Sequence, residues 1–154
     1  VEAIDRDAFG SLLENARRYF DYVLLDAPAG IEAGFSLAAR SADRVILVTG
    51  SDPASIRDAH QAADKLELMG KGNVRLVVNR IHKKMAAAMG LTVDDIMDQA
   101  GVPLLGIVLE DTDVALAAAC GKPLLQCSKR SPAAVAYRKI SRRIQGLPEP
   151  ITLR

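Results

Sequence analysis

The sequence has 154 residues, a length that suits one domain, and is 49% hydrophobic and 25% charged, as is ordinary for a globular protein. Its 20 basic and 19 acidic residues leave a net charge of +1, which argues neither for nor against a nucleic acid or a membrane surface. Aromatics at 4% with no tryptophan exclude a stacking platform for single-stranded nucleic acid. No apolar run approaches the roughly 20 residues of a membrane span.

The chain opens at Val1 rather than Met and runs straight into a helical pattern, so no signal peptide is expected and the start reads as cut. Asp7 to Tyr19 carries Phe9, Leu12, Leu13 and Ala16 at helical spacing. Tyr22 to Leu25 is a short apolar run that predicts a first strand, ended by Asp26 and a turn through Pro28 and Gly30. Ile31 to Ala42 predicts a second helix, with Ala33, Leu37 and Ala38 on its apolar face. Val45 to Thr49, Val-Ile-Leu-Val-Thr, reads as a strand buried on both faces. Ser51-Asp52-Pro53 supplies a capping side chain and a first-turn proline for a helix that ends by Met69, before Gly70 and Gly72.

Val74 to Asn79 predicts a third strand, and residues 81–90 a loop or irregular helix. Thr92 opens a helix over Val93 to Ala100, with Asp94 and Asp95 in the first turn, where the helix dipole favours acids. Gly101-Val-Pro103 leads into a fourth strand, Leu104 to Val108. Asp111 or Thr112 starts a helix through Ala119, closed by Gly121. Ser131-Pro132 opens the last helix, which reaches Gln145, and Pro148 and Pro150 mark a loose tail. Alternation of strands and helices implies an α/β fold: a parallel sheet covered on both faces through right-handed crossovers. Cys120 and Cys127 fit neither a disulfide framework nor a zinc motif and are expected as free thiols in a reducing cytosol.

Ligands of open α/β sheets bind outside the carboxyl ends of the strands, so three strand tips carry the candidate chemistry. Asp26 sits where the first strand ends, and its carboxylate suits a magnesium-bound water; the residues alone leave a helix cap equally open. Gly30 lets a backbone N–H approach a phosphate unobstructed. Asn79 can pair with a purine edge through one donor and one acceptor, and Arg80 can stack or reach a phosphate, although an Asn that merely terminates a strand explains the position as well. Glu110 and Asp111, taken alone, read as an acidic helix start. No GxxxxGK[ST] or GxGxxG loop is present, so a nucleotide site here rests on the other half of such a site.

Taken in order, YVLLDAPAGIEAGF, ADRVILVTGSDPASIRDA, RLVVNR, PLLGIVLEDTDV, GKPLL and AYRKISRRI resemble the MinD/ParA ATPases, the deviant-Walker-A branch of the P-loop NTPases, over nearly the whole chain. The resemblance implies a three-layer α/β/α P-loop NTPase sheet, Rossmann-like and N-terminally incomplete, with about four strands present. Residues 1–154 would be the C-terminal part of a single nucleotide-binding domain. ATP and Mg²⁺ are the implied cofactors: Asp26 matches the Walker B aspartate near Mg²⁺, and Ala27 to Gly30 match switch II, with Gly30 at the γ-phosphate. Asn79 and Arg80 match the pair at the adenine, and Glu110 and Asp111 the loop closing over the base. Ser55, Arg57 and Asp58 match the helix face used for dimerisation and partners, where the bare residues equally fit a solvated face.

The implied partners are a second copy in an ATP-dependent dimer and division regulators of the MinC/MinE type, with no nucleic acid. The implied place is the cytoplasm, peripheral at the inner face of the cell membrane, through a C-terminal helix not found in this sequence. The last helix carries Arg138, Lys139, Arg142 and Arg143 beside Val135, Ile140 and Ile144, and reads as a packing helix with a basic outer face. Leu109 stands where the family usually has proline. A member of this kind hydrolyses ATP to ADP and positions the division septum; this chain alone, without the phosphate loop, is expected to be inactive. Two alternatives stand beside it: a non-catalytic interaction module of the same fold, and a ParA-like ATPase for DNA partition or cargo positioning, against which the lack of a strong basic patch weighs.

Overall fold

Strands β1 (Val45–Thr49), β2 (Val74–Ile81) and β3 (Leu104–Leu109) form one parallel sheet in the order β1-β2-β3. The structure is a computed structural model that describes residues 5–82, 90 and 92–151. Seven helices are described around the strands: α1 (Arg6–Tyr19), α2 (Ala33–Ser41), α3 (Pro53–Leu68), α4 (Val93–Ala100), α5 (Thr112–Ala119), the single turn α6 (Leu124–Cys127) and α7 (Pro132–Ile144).

The helix starts follow from local chemistry. Asp5, Asp52, Thr92, Asp111 and Ser131 each sit in extended backbone ahead of a helix and accept one or more of its free N–H groups. Thr92 and Asp95 form a reciprocal capping box. Gly101 ends α4 in the left-handed region at φ 66°, where a Cβ is disfavoured.

Side-chain alternation along the strands divides the core into two layers. Leu47 of β1 and Leu76 and Val78 of β2 point to the layer formed with Phe35, Ile56, Leu66 and Ile96 of α2, α3 and α4. Val77 of β2 and Leu105 and Val108 of β3 point the other way, onto Ala133 and Ile140 of α7. The approach of α7 depends on Gly106: a Cβ there would collide with Ile140 Cγ1 and lie 2.8 Å from its Cδ1. Arg143 of α7 fixes the tail by donating to Leu105 O at 2.8 Å, Glu149 O at 2.9 Å and Pro150 O at 2.6 Å.

The parallel α/β architecture expected from the sequence is present, and the strand count is corrected to three among the described residues. Tyr22 to Leu25 has no ladder: Tyr22 is 61% and Leu24 88% exposed. A strand exists only beside a partner that takes its N–H and C=O groups, and no described strand lies alongside this run. β1 itself is open on one face: its Val48 is 63% exposed although Val77, its register neighbour, is buried. The second helix begins at Ala33, after the bends that follow Gly30, rather than at Ile31. β2 runs to Ile81, past Asn79, and β3 to Leu109. The tail carries the hydrogen bonds of Arg143 and is not loose at Glu149 and Pro150. Most of the loop or irregular helix expected over 81–90 lies outside the described residues.

Candidate functional site

The tips of β2 and β3 meet through an irregular register. Val78 pairs with Ile107 and Ile81 with Leu109, so three steps along β2 face two along β3 and β2 carries one extra residue at Asn79–Arg80. Arg80 takes up the excess at φ 56°, the one positive value at a non-glycine among the described residues. Its N–H donates to Asn79 Oδ1 at 3.0 Å. Glu110 N–H donates to Ile81 O at 3.0 Å and extends the contact between the strands by one bond. Arg80 Nη2 lies 3.8 Å from Glu110 Oε1, but with these side chains 79% and 46% exposed the pair contributes only about 0–1 kcal/mol. Asn79, Arg80 and Glu110, three residues singled out from the sequence, are therefore neighbours at one edge of the sheet.

Asp111 belongs to this edge but its carboxylate is engaged elsewhere. Oδ1 accepts from Asp113 N at 3.0 Å and Oδ2 from Ala133 N at 3.0 Å, so one side chain caps α5 and also holds the first turn of α7. The bond from Ala133 does most to hold the carboxyl below the usual range; partial burial opposes this, and Asp113 N–H and Ser131 assist. Asp111 thus shapes the loop after β3. The acidic helix start was legible in the sequence; the second bond, twenty-two residues away, had no local signal.

Asp26 lies exposed on the unpaired segment, with no hydrogen bond or ion pair among the described residues, so its oxygens are accessible. Gly30 has φ 90° and no atom within 4 Å of where a Cβ would lie. No cluster of three or more His, Cys, Asp or Glu among the described residues is placed to hold a metal. One free carboxylate fits Mg²⁺, which keeps several waters and takes its remaining oxygens from phosphate. Lys65 of α3 donates from Nζ to Ile31 O and lies 5.9 Å from the Phe35 ring centroid, tying the turn after Asp26 to α3 and α2. Sequence reading missed Lys65 because only the tertiary fold brings it to the turn.

On α3, Ser55 is half-buried and occupied in the cap: its N–H donates to Asp52 Oδ1 at 2.9 Å and its hydroxyl to Asp52 Oδ2 at 2.6 Å. The hydroxyl bond is the main reason that the Asp52 carboxyl is held below its usual range. Arg57 and Asp58 are exposed, one turn into the helix, while Ile56 and Ala59 face the core. Cys120 and Cys127 are free and exposed. Among the described residues no helix is long and apolar enough to cross a membrane.

A parallel sheet with helices on both faces and polar groups gathered at its strand tips is the α/β architecture in which ligands bind at the strand ends, and its fold matches solved MinD and ParA-family ATPase structures. In sequence the chain is similar to the C-terminal portion of proteins named septum site-determining protein MinD. It is 36% identical over 150 residues to MinD of Synechocystis, covering 97% of this chain and 56% of that protein. It is similar to the MinC:MinD cell division protein complex of Aquifex aeolicus, with 33% identity and a TM-score of 0.91 over 98% of this chain and 63% of that one. The MinD of Pyrococcus horikoshii complexed with Mg-ADP shares the fold, at 22% identity and a TM-score of 0.78 over 91% of this chain and 56% of that one. The chain spans about half the length of the curated relatives it matches. No family model matches it.

Proposed function

We propose that this chain supplies the magnesium, switch and base-binding half of a MinD-like ATPase, and that a preceding segment with the glycine-rich phosphate loop completes the site. The observation that carries this reading is the meeting of Asn79, Arg80 and Glu110 at adjacent strand tips, in a chain similar in sequence to half of MinD. In it, Asp26 holds a magnesium-bound water, Gly30 gives its N–H to the γ-phosphate, Asn79 reads the adenine, and Asp111 holds the loop over the base. Mg²⁺ supplies charge neutralisation at the phosphates when bound. The intact protein hydrolyses ATP, pairs with a second copy when ATP is bound, and offers Arg57 and Asp58 on α3 to division regulators of the MinC or MinE kind at the inner face of the membrane. The exposed Tyr22–Leu25 run and the open side of β1 support a missing neighbour strand in the intact sheet.

Calorimetric titration tests the reading. The 154-residue chain binds Mg-ATP weakly, because the phosphate cradle provides most contacts in such sites. Extending the chain with the matching N-terminal half of a relative gives Mg-dependent ATP hydrolysis, and Asp26→Ala in that protein removes it. Tight Mg-ATP binding by the 154 residues alone, or no hydrolysis by the extended protein, overturns the proposal.

A further inference from the structure

We infer that the one-residue bulge at Asn79–Arg80 is a specificity device: the backbone N–H of Arg80 locks the sense of the Asn79 amide and so sets a preference for 6-aminopurines over 6-oxopurines. The inference rests on the base-binding reading above and adds what selects the base.

A side-chain amide carries a donor at one end and an acceptor at the other, and rotation by about 180° exchanges them. Adenine presents an acceptor ring nitrogen beside the donor N6 amine. A 6-oxopurine presents the mirror image on its Watson–Crick edge, a ring N1–H donor beside the O6 acceptor. An amide free to flip therefore fits both, and only one held in a single sense discriminates. Arg80 N–H donates to Asn79 Oδ1 at 3.0 Å, and only the carbonyl end can receive it. A flipped amide would set Nδ2–H against N–H, two donors facing each other. Oδ1 keeps a second lone pair and Nδ2 keeps its hydrogens, so the locked amide still offers one acceptor and one donor in fixed order.

The lock comes from the backbone. The strand pairs on either side of the bulge set the peptide plane between Asn79 and Arg80, which aims the N–H at Oδ1, and Arg80 accommodates that plane at φ 56°, in the left-handed region that L-residues avoid. What holds it there is the register: the extra residue of β2 between the Val78–Ile107 and Ile81–Leu109 pairs, closed by the Glu110 N–H to Ile81 O bond. The Arg80 side chain is mostly exposed, and among the described residues its ion pair is the 3.8 Å approach to Glu110. The Arg80 guanidinium is accordingly dispensable for base choice and its main chain is not. Arg80 is a positioning residue acting through Asn79.

The test is NMR on the 154-residue chain, which detects millimolar binding, with adenosine and inosine as probes and the Asn79 side-chain amide as reporter. Wild type shows a protected Arg80 amide and prefers adenosine on the order of ten-fold, the discrimination of one bidentate pair. Arg80→Gly, which keeps the N–H and accepts φ 56° freely, retains that ratio. Arg80→Val, which resists positive φ, and Arg80→Pro, which has no N–H, lose it to within roughly two-fold as the amide becomes free to flip. Exchange protection at Glu110 N–H reports in each variant that the strand tips remain joined, and Arg80→Val stands in should the proline variant fail to fold. Loss of the ratio in Arg80→Gly equal to that in Arg80→Val overturns the inference, because the side chain is then responsible. An unprotected Arg80 amide in a wild type that binds adenosine overturns it too. A protected Arg80 amide with no Asn79 response to adenosine instead overturns the base-binding reading beneath it.

Discussion

At the scale of single residues, Asp111 illustrates how a carboxylate beside a candidate site can serve the fold. It accepts backbone N–H groups from the starts of two helices that flank β3, so its loss uncaps both. Asp111→Ala is expected to lower the unfolding free energy by roughly 2 kcal/mol, about 1 for each helix start, measured by urea denaturation at pH 7. Asp111→Asn costs less, since one amide oxygen replaces one of the two acceptors. The pH dependence has a definite sign. The folded carboxyl is held below its usual range, so its stabilisation is complete above the unfolded pKa of about 4 and is lost as pH falls through the folded value. Asp52 and Asp95 are lowered in the same direction, each first by a hydroxyl bond, from Ser55 and Thr92. Stability is therefore expected to be flat from pH 7 to about 5 and to fall below about 4, with the gap between wild type and Asp111→Ala closing as it falls. A gap that stays constant down that limb would show that the carboxylate charge contributes nothing.

Elements were legible in the sequence wherever a local signal decided them. The Asp52-Pro53 and Ser131-Pro132 starts and the strands β1, β2 and β3 follow from capping chemistry and apolar patterning, which neighbours in sequence specify. But β1 is buried on one face and not on both as its continuous apolar run implied, since among the described residues nothing packs over Ile46 and Val48. Tyr22 to Leu25 has the same apolar character and forms no strand here, because pairing depends on a partner and not on composition. Of the candidate site, residue identities were legible at Asn79, Arg80 and Glu110, but the bulge that joins them was not, since register emerges only when two distant strands meet. Gly106 is a further case. It reads as an ordinary glycine in a strand, yet α7 packs so closely that a methyl group there meets Ile140. Gly106→Ala is expected to destabilise by about 1–3 kcal/mol through overpacking. Combining it with Ile140→Val should recover part of that cost, so that the double-mutant cycle is non-additive. Additive costs would mean that the helix shifts as a body instead of clashing locally.

At the scale of the whole molecule, the core is asymmetric. β2 is covered on both faces, whereas β1 has one bonded neighbour and leaves Ile46 and Val48 partly in solvent. Tyr22, Val23 and Leu24 add exposed apolar surface, and α1 buries none of its residues, leaving Leu12 and Tyr19 exposed, with Phe20 exposed just beyond its end. A row of unpaired strand groups beside an apolar face is a template for pairing with another chain. The isolated chain is therefore expected to self-associate with increasing concentration, as read by sedimentation velocity, and the association should strengthen with kosmotropic salt. Val48→Lys together with Leu24→Lys should suppress it. Because both side chains are already mostly exposed, this pair is expected to change the unfolding free energy by no more than about 0.5 kcal/mol. In the protein extended with the N-terminal half of a relative, the same two substitutions should behave differently. On the proposed assembly the added half covers this surface, burying either ammonium is costly, and the extended protein should lose stability and ATP hydrolysis together. Equal tolerance of the lysines in both proteins would mean that this face stays open in the extended protein, and that the added half docks elsewhere.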